Sequence, residues 1–154
     1  MIDVLLVRFC PTVEHEKAFD ATVAALGRLP GLRLLVHDNT ADNIGLSRAR
    51  NRLLMKATAD AVVLMDFDLS WGHLDLNAMA AMTTRPGVGL VVPRSPGFEN
   101  KPINGVWQPV TRCACHFMVV ARDLLTDLGG LDERYFVAYA DWDLLNRIEL
   151  LGLA

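Results

Sequence analysis

Short, almost continuously apolar runs recur along this chain and alternate with longer segments of helical pattern. Three runs open the series: IDVLLVRF at 2–9, LRLLVH at 32–37 and AVVLM at 61–65. The runs VGLVVP at 88–93 and HFMVVA at 116–121 continue it. A strand that is apolar on both faces needs cover on both, which is typical of parallel sheets between helix layers. The sequence therefore predicts an α/β fold, a Rossmann-like and mostly parallel sheet with helices on both faces.

The segments between these runs have the residue spacing of amphipathic helices. The predicted helices cover 13–27, 44–56 with Asn43 as the N-cap, 73–84, 122–128 and about 139–151. Residues 94–111 contain several prolines and glycines and predict a long loop. Long loops in compact domains often carry function, so we expect this one to contribute to a site.

Length and composition exclude several classes of protein. A chain of 154 residues predicts one compact domain spanning 1–154. Its net charge of −3 offers no basic footprint for nucleic acid. No apolar run approaches the roughly 18–20 residues that span a bilayer, and the N-terminus lacks the basic segment of a signal peptide. Three cysteines at uneven spacing fit reduced thiols, so we expect a cytoplasmic protein without a transmembrane segment.

Two of those cysteines belong to the run Cys113-Ala114-Cys115-His116. Its spacing is unlike that of a zinc-binding pair, and the chain supplies no second ligand pair. Because the run leads directly into a predicted buried strand, we interpret it as core packing.

Two aspartates directly follow the third apolar run. Asp66 and Asp68 flank Phe67 at the end of a predicted central strand, where open α/β sheets bind their ligands. On an extended chain, side chains two residues apart point the same way. Both carboxylates could then share one divalent cation and leave coordination positions for the phosphates of a nucleotide. Aspartate is also frequent in the turns that end strands, so the triplet alone leaves both interpretations open.

A series of motifs runs through residues 4–152 around this triplet. They are Asp38-Asn39-Thr40 after a strand; Asn43, Gly45, Ala49, Arg50 and Asn51 at a helix start; Asp66 and Asp68; Gly129-Gly130-Leu131-Asp132-Glu133-Arg134-Tyr135; and Ala140-Asp141-Trp142-Asp143-Leu144. In this order they resemble the inverting glycosyltransferase family 2, which has the GT-A fold. The resemblance is closest to the rhamnosyltransferase-like branch of that family.

The resemblance implies a metal-dependent transfer of a sugar from a nucleotide-diphosphate-sugar to a hydroxyl acceptor. The donor would be a UDP-, GDP- or dTDP-sugar. Asp38 would face its nucleobase or ribose, with Asn43 and Arg50 near the nucleotide. Asp68, together with Asp66, would hold the Mn²⁺ or Mg²⁺ that bridges the diphosphate and stabilises the leaving group as a Lewis acid.

The resemblance also implies an acceptor side. Asp141 matches the family's general base, which takes the proton of the attacking hydroxyl in a single inverting displacement. Trp107, in the predicted loop, and Trp142, beside the base, could stack on an acceptor sugar, although tryptophan is also a routine core residue. For Asp143 we expect a structural role.

Three departures from the family pattern bear on these expectations. Only a short turn separates Asp38 from Asn43, where the family has a helix and a further strand. Ala140 replaces the glutamate that commonly precedes the base, and the chain ends at Ala154, where relatives continue. The expectation is a minimal or truncated transferase, or one that completes its site as a homo-oligomer.

Two other functions stay open. The first is a catalytically inactive nucleotide-sugar-binding module, or a subunit that needs a partner, which the departures favour. The second, ranked lower, is a nucleotidyltransferase. Such an enzyme would carry a glycine-rich, basic phosphate loop after the first strand, and residues 8–16 read RFCPTVEHE instead.

Overall fold

The computed structural model describes residues 1–69, 74–93 and 116–153. The elements in these residues are β1 (Ile2–Arg8), α1 (Val13–Leu26), β2 (Leu32–Asp38), α2 (Leu46–Leu54), β3 (Ala61–Met65), α3 (Leu76–Met82), β4 (Leu90–Val91), β5 (Phe117–Ala121), α4 (Arg122–Asp127) and α5 (Ala140–Leu150). Strands alternate with helices over the first half of the chain, as the apolar runs predicted.

The described strands form one sheet in the order β2-β1-β3-β5-β4. β1 pairs in parallel with β2, with Arg8 opposite Asp38, and with β3, with Leu6 opposite Met65. β5 is antiparallel to both β3 and β4, so it is the one reversed strand among those described. The prediction of a mostly parallel sheet is confirmed. The reversal brings the start of β5 to the edge where β1, β2 and β3 end.

Alternate side chains of the central strands enter two separate cores. On one face Leu5, Leu64 and Met118 pack with buried residues of α2, α4 and α5. On the other face Leu6 and Met65 pack with buried residues of α1 and α3. Full burial of such a side chain stabilises a fold by about 1.5–3 kcal/mol. The predicted helices on both faces are therefore confirmed.

The second helix is shorter than predicted at both ends, because α2 covers Leu46–Leu54. Asn43 is not its N-cap, so that prediction was wrong. The cap residue is Gly45 with φ 88°, and a Cβ atom there would lie 2.8 Å from Cδ2 of Phe136. The amide of Leu46 donates to the carbonyl oxygen of Phe136 at 2.7 Å. Phe136, which is distant in sequence, therefore supplies a hydrogen-bond acceptor for the first amide of this helix.

Two other elements are shorter than predicted. α3 covers Leu76–Met82 rather than 73–84, because the Asp75 carboxylate caps it by accepting from the amide of Ala78 at 2.9 Å. β4 keeps only two residues of the predicted strand 88–93. The remaining elements lie within one residue of their predicted bounds at each end. The predicted loop 94–111 lies outside the described residues.

A buried carboxylate joins three segments at the opposite edge of the sheet. Asp3 is fully buried and accepts from Arg33 Nε and Nη2 at 2.7 Å each, from the Thr58 amide at 2.7 Å and from the Ala59 amide at 2.9 Å. Burial raises the pKa of Asp3, but the hydrogen bonds from Arg33, Ala59 and Thr58 outweigh burial and hold the pKa below its ordinary value. Asp3 therefore fastens β1 to β2 and to the turn before β3.

Candidate active site

Polar side chains meet at the edge of the sheet where β1, β2 and β3 end and β5 begins. Arg8 and Asp38 are the last residues of β1 and β2, and Asp66 directly follows β3. His116 precedes β5, and its carbonyl oxygen accepts from the Asp66 amide at 2.9 Å. This edge is the place where an open α/β sheet forms its ligand crevice.

Asp38 is about half exposed and already has protein partners. Its side chain accepts from Arg8 Nη1 at 2.5 Å and from the Thr40 amide at 2.9 Å. Arg8 in turn donates to Glu16 at 2.9 Å. Hydrogen bonds from Thr40, and then that from Arg8, lower the pKa of Asp38 below its ordinary value. Asp38 is therefore a firmly ionised acceptor, and any ligand that it binds must share it with Arg8.

Arg50, Asp66 and His116 form a continuous chain of contacts. Arg50 projects from α2, is 5% exposed, and donates from Nη2 to Asp66 Oδ1 at 2.8 Å. The other carboxylate oxygen, Oδ2, lies 3.1 Å from His116 Nδ1. The His116 ring is 64% exposed, so the interpretation of this residue as core packing was wrong. The sequence motif placed Arg50 near the site, but only the fold shows that it meets Asp66.

Asp68 differs from Asp66 in its surroundings. The strand ends at Met65, and Phe67 and Asp68 form a turn, so the extended geometry that would point both carboxylates the same way is absent. Asp68 is exposed and lines a shallow groove of about 380 Å³ beside α1. No residue in the described ranges forms a hydrogen bond or ion pair with it. Within the described part of the chain, Asp68 is thus the carboxylate of the pair that has no protein partner.

A small polar network fills the turn between β2 and α2. Asn39 is buried and donates from Nδ2 to Asn43 Oδ1 at 2.8 Å, while its own oxygen accepts from the Ile44 amide at 2.9 Å. Asn43 Oδ1 also accepts from the Gly45 amide at 3.1 Å. Asn43 therefore shapes the entry to α2, close to Asp38 in sequence.

Two motifs that are far apart in sequence pack directly on each other. Asn51 of α2 donates to the Leu131 carbonyl at 2.8 Å and accepts from the Leu131 amide at 2.9 Å. The Ser47 hydroxyl donates to the Tyr135 carbonyl at 2.6 Å. These contacts hold the segment that leads into α5, and so they determine where the first turn of α5 lies.

Asp141 lies in that first turn and is partly exposed. Its carboxylate accepts from the Trp142 amide at 2.9 Å, a favourable place for a negative charge at a helix N-terminus. The preceding Tyr139 has φ 71°, which makes it the one described residue other than glycine with a positive φ. A bulky residue in this region costs about 1–3 kcal/mol and marks backbone held by its surroundings. The strained turn lies beside Asp141.

Asp143 has the structural role that its position predicted. It accepts from Arg147 Nε at 2.8 Å, one helical turn later. Arg147 also donates to the carbonyl oxygens of Leu128 and Gly130, at 2.8 and 2.9 Å. This pair therefore fastens α5 to the end of α4 and leaves Asp141 as the available carboxylate of the turn.

The fold brings some of the predicted site residues together and leaves others apart. Arg50 and Asp66 are in direct contact, and Asp38 lies along the same edge. Among the described residues, no hydrogen bond or ion pair links Asp141 to those three. Trp142 is 45% exposed next to Asp141, whereas Trp107 lies outside the described residues.

The described residues contain neither a cluster of metal-ligating side chains nor a helix that could span a membrane. In the described part of the chain, no three His, Cys, Asp or Glu side chains converge to hold a metal ion. No described helix is long and apolar enough to cross a membrane.

Comparison with known proteins supports the fold. No protein-family model and no curated protein sequence matches the chain. One similar solved structure is a Drosophila beta-1,4-galactosyltransferase 7 mutant in complex with manganese, UDP-Gal and xylobiose, with TM-score 0.62 and 19% identity. Another is the mannosyltransferase PcManGT from Pyrobaculum calidifontis in complex with GDP-Man and Mn²⁺, with TM-score 0.64 and 22% identity.

Both similarities extend over 99% of this chain, but they span only 63% of the galactosyltransferase chain and 52% of the mannosyltransferase chain. At these identities the comparison establishes architecture. The chain has a GT-A-like α/β fold, the architecture of these two glycosyltransferases.

Proposed function

We propose that the chain acts as a metal-dependent inverting glycosyltransferase, moving a sugar from a nucleotide-diphosphate-sugar to a hydroxyl acceptor. The observation that carries the proposal is the pair of carboxylates after β3. Asp66 is bound by the buried Arg50, while Asp68 is exposed and has no partner among the described residues. Support comes from the two solved structures that share the fold, since each holds manganese and a nucleotide sugar.

The donor set suits a hard divalent cation. Asp68 would be the first protein ligand, with Asp66 as the second candidate, because carboxylate oxygens are the ligands that Mg²⁺ and Mn²⁺ favour. Since no three such groups converge among the described residues, most coordination positions are left to water and to the donor's phosphates. When bound, the cation would stabilise the charge that develops on the departing diphosphate.

The donor nucleotide would lie along the carboxyl edge of β1 and β2. Asp38 is the candidate contact for its nucleobase or ribose, because this ionised carboxylate is half exposed at the strand end. Asn43 would shape the turn beside it, and Arg50 would act through Asp66. UDP-, GDP- and dTDP-sugars are the donor candidates.

Asp141 is the candidate general base. Its carboxylate would take the proton of the acceptor hydroxyl while that oxygen bonds to the anomeric carbon and the bond to the diphosphate breaks. The hydrogen bonds of Ser47 and Asn51 to the 131–135 segment would hold this base against the rest of the site. Trp142, and Trp107 in the predicted loop, are candidate acceptor contacts.

A nucleotide-sugar-binding module without activity of its own is the second candidate. Ala140 favours it, because this residue is buried with 4% exposure at the position where the resembled family has a glutamate. In that case the chain would act as a subunit, together with a partner protein or with a second copy of itself.

Calorimetric titration with UDP, GDP and dTDP, each with Mn²⁺ and then with EDTA, tests the donor site. We expect one nucleotide to bind only with the metal. Asp68→Ala should abolish that binding, whereas Asp127→Ala, a control at an exposed aspartate of α4, should leave it unchanged. A well-folded protein that binds none of the three nucleotides would overturn the proposal.

Turnover tests the role of Asp141. It is measured as the release of nucleoside diphosphate from a sugar of the nucleotide that binds in the titration. Asp141→Asn should bind the nucleotide normally and lose about 10²–10⁴-fold in turnover, the usual contribution of a general base. Normal turnover in this variant would contradict the role of Asp141. Metal-dependent binding without turnover by the wild-type chain would favour the binding module.

A further inference from the structure

Asp66 is engaged on both of its carboxylate oxygens. Oδ1 accepts from Arg50 Nη2 at 2.8 Å, and the Arg50 side chain is 5% exposed. Oδ2 lies 3.1 Å from His116 Nδ1. The Arg50 guanidinium is a permanent cation, so the Asp66 carboxylate lies against a fixed positive charge. Asp66 thus presents a fixed, charged acceptor to the imidazole.

This contact determines which ring nitrogen of His116 carries the proton. An ionised carboxylate can only accept, so the Nδ1 of His116 must be the donor across the 3.1 Å contact with Asp66. In the neutral ring Nε2 then holds a lone pair. The ring is 64% exposed at the edge of the sheet where the metal and donor are proposed to bind. A histidine held by a carboxylate through one nitrogen is the usual arrangement of a metal-binding imidazole.

We propose that His116 is a metal ligand through Nε2 and that Asp66 is a positioning residue acting through it. This inference rests on the proposed metal-dependent function. His116 would supply one nitrogen ligand, and phosphate oxygens and water would supply other positions. The assignment gives Asp66, which is fixed by Arg50, the role of orienting the imidazole.

One consequence concerns the choice of metal. Mg²⁺ demands oxygen ligands, whereas first-row transition metals accept imidazole. A site with His116 in it should therefore bind Mn²⁺ more tightly than Mg²⁺. Removal of His116 should narrow that preference, because only oxygen ligands would remain.

The test is pulsed electron paramagnetic resonance of Mn²⁺ bound to the full chain with the nucleotide selected by titration. Nitrogen coordination gives a ¹⁴N modulation in the electron spin echo, and we expect it in the wild-type protein. His116→Gln should remove the modulation, whereas His37→Gln, at a histidine of β2, should keep it. Because His116 is exposed, its substitution should leave the thermal unfolding midpoint unchanged.

Asp66→Asn supplies an independent readout. With the asparagine oxygen toward Arg50, its NH₂ group would donate to His116 Nδ1 and force the ring proton onto Nε2, the wrong tautomer for a ligand. We expect the ¹⁴N modulation to disappear and Mn²⁺ affinity to fall about 10–100-fold, the usual cost of losing a carboxylate behind a metal-bound histidine. Circular dichroism would check that the variant is folded.

The outcomes separate this inference from the proposed function. Bound Mn²⁺ without ¹⁴N modulation in the wild-type protein overturns the role of His116 and leaves the transferase proposal intact. Modulation that persists in His116→Gln does the same. If Asp66→Asn keeps the modulation, Asp66 does not position the ring. A wild-type protein that binds no Mn²⁺ with any nucleotide overturns both proposals together.

Discussion

Replacing Asp3 should destabilise the fold more than replacing any exposed aspartate. In Asp3→Ala the two backbone amides that donate to the carboxylate, those of Thr58 and Ala59, lose their acceptor. Each unsatisfied buried group costs about 1–3 kcal/mol. Arg33 is 37% exposed, so its guanidinium regains hydrogen bonds to water in the variant, and we add no cost for its lost ion pair. Two unsatisfied buried groups would cost about 2–6 kcal/mol. Because Thr58 is an exposed residue whose amide can regain water, we expect the lower half of that range, about 2–4 kcal/mol in the free energy of unfolding, against a typical total of about 5–15 kcal/mol.

The same network predicts a pH dependence. The pKa of Asp3 in the folded protein lies below its unfolded value of 3.8, so the charged network stabilises the fold above pH 3.8. That stabilisation is lost as the pH falls through the folded pKa. Asp3→Asn lacks the titrating group, so the difference in unfolding free energy between this variant and the wild-type protein should shrink as the medium becomes more acidic.

Urea unfolding followed by circular dichroism measures both effects, at neutral pH and again below pH 3.8. Asp127→Ala, at an exposed residue of α4, is the matched control and should stay within about 0.5 kcal/mol of the wild-type protein. A loss below about 1 kcal/mol for Asp3→Ala at neutral pH would refute the reasoning, because such a value is the loss of one ordinary hydrogen bond. If the difference in unfolding free energy between Asp3→Asn and the wild-type protein does not change with pH, titration of Asp3 does not affect stability and the predicted pH dependence is wrong.

Two further predictions concern the segment that leads to Asp141. Gly45→Ala should cost about 1–3 kcal/mol of unfolding free energy, since Gly45 has φ 88° and its Cβ would lie 2.8 Å from Phe136. Gly31→Ala is the control, because Gly31 has φ 76° and an added Cβ would have nothing within 4 Å, so only the backbone cost remains. If both variants lose the same unfolding free energy, the contact of Gly45 with Phe136 is unimportant. The pKa of Asp132 should be about 2 by NMR titration, because Arg134 donates to its carboxylate, and Arg134→Ala should raise it towards 3.8. If the titration midpoint of Asp132 is the same in Arg134→Ala as in the wild-type protein, Arg134 does not lower the pKa of Asp132.

Apolar patterning predicted most of the described architecture because burial acts through local residue type. The runs at 2–9, 32–37 and 61–65 became β1, β2 and β3 with bounds within one residue at each end. One error fell where a distant residue decides the local structure. α2 begins at Leu46 rather than after Asn43, because Phe136 occupies the space beside Gly45 and accepts from the Leu46 amide.

The candidate site divides in the same way. Sequence motifs selected Asp38, Arg50, Asp66 and Asp141, and the structure places the first three at one edge of the sheet. They could not assign partners, since Asp66 and Arg50 meet only when α2 packs on the face of the sheet. His116 was misjudged because a residue that borders an apolar strand resembles a core residue in sequence, yet it is 64% exposed at the strand end.

The sequence by itself determined the order of strands and helices, the two-sided core and the carboxylates that follow the strands. These properties depend on residue type and local spacing. Only the tertiary structure decided the reversed direction of β5, the burial of Asp3 and the contacts of Asp66 with Arg50 and His116. Each depends on segments that are far apart in the chain, and their meeting is governed by packing and hydrogen-bond geometry, which local pattern does not record.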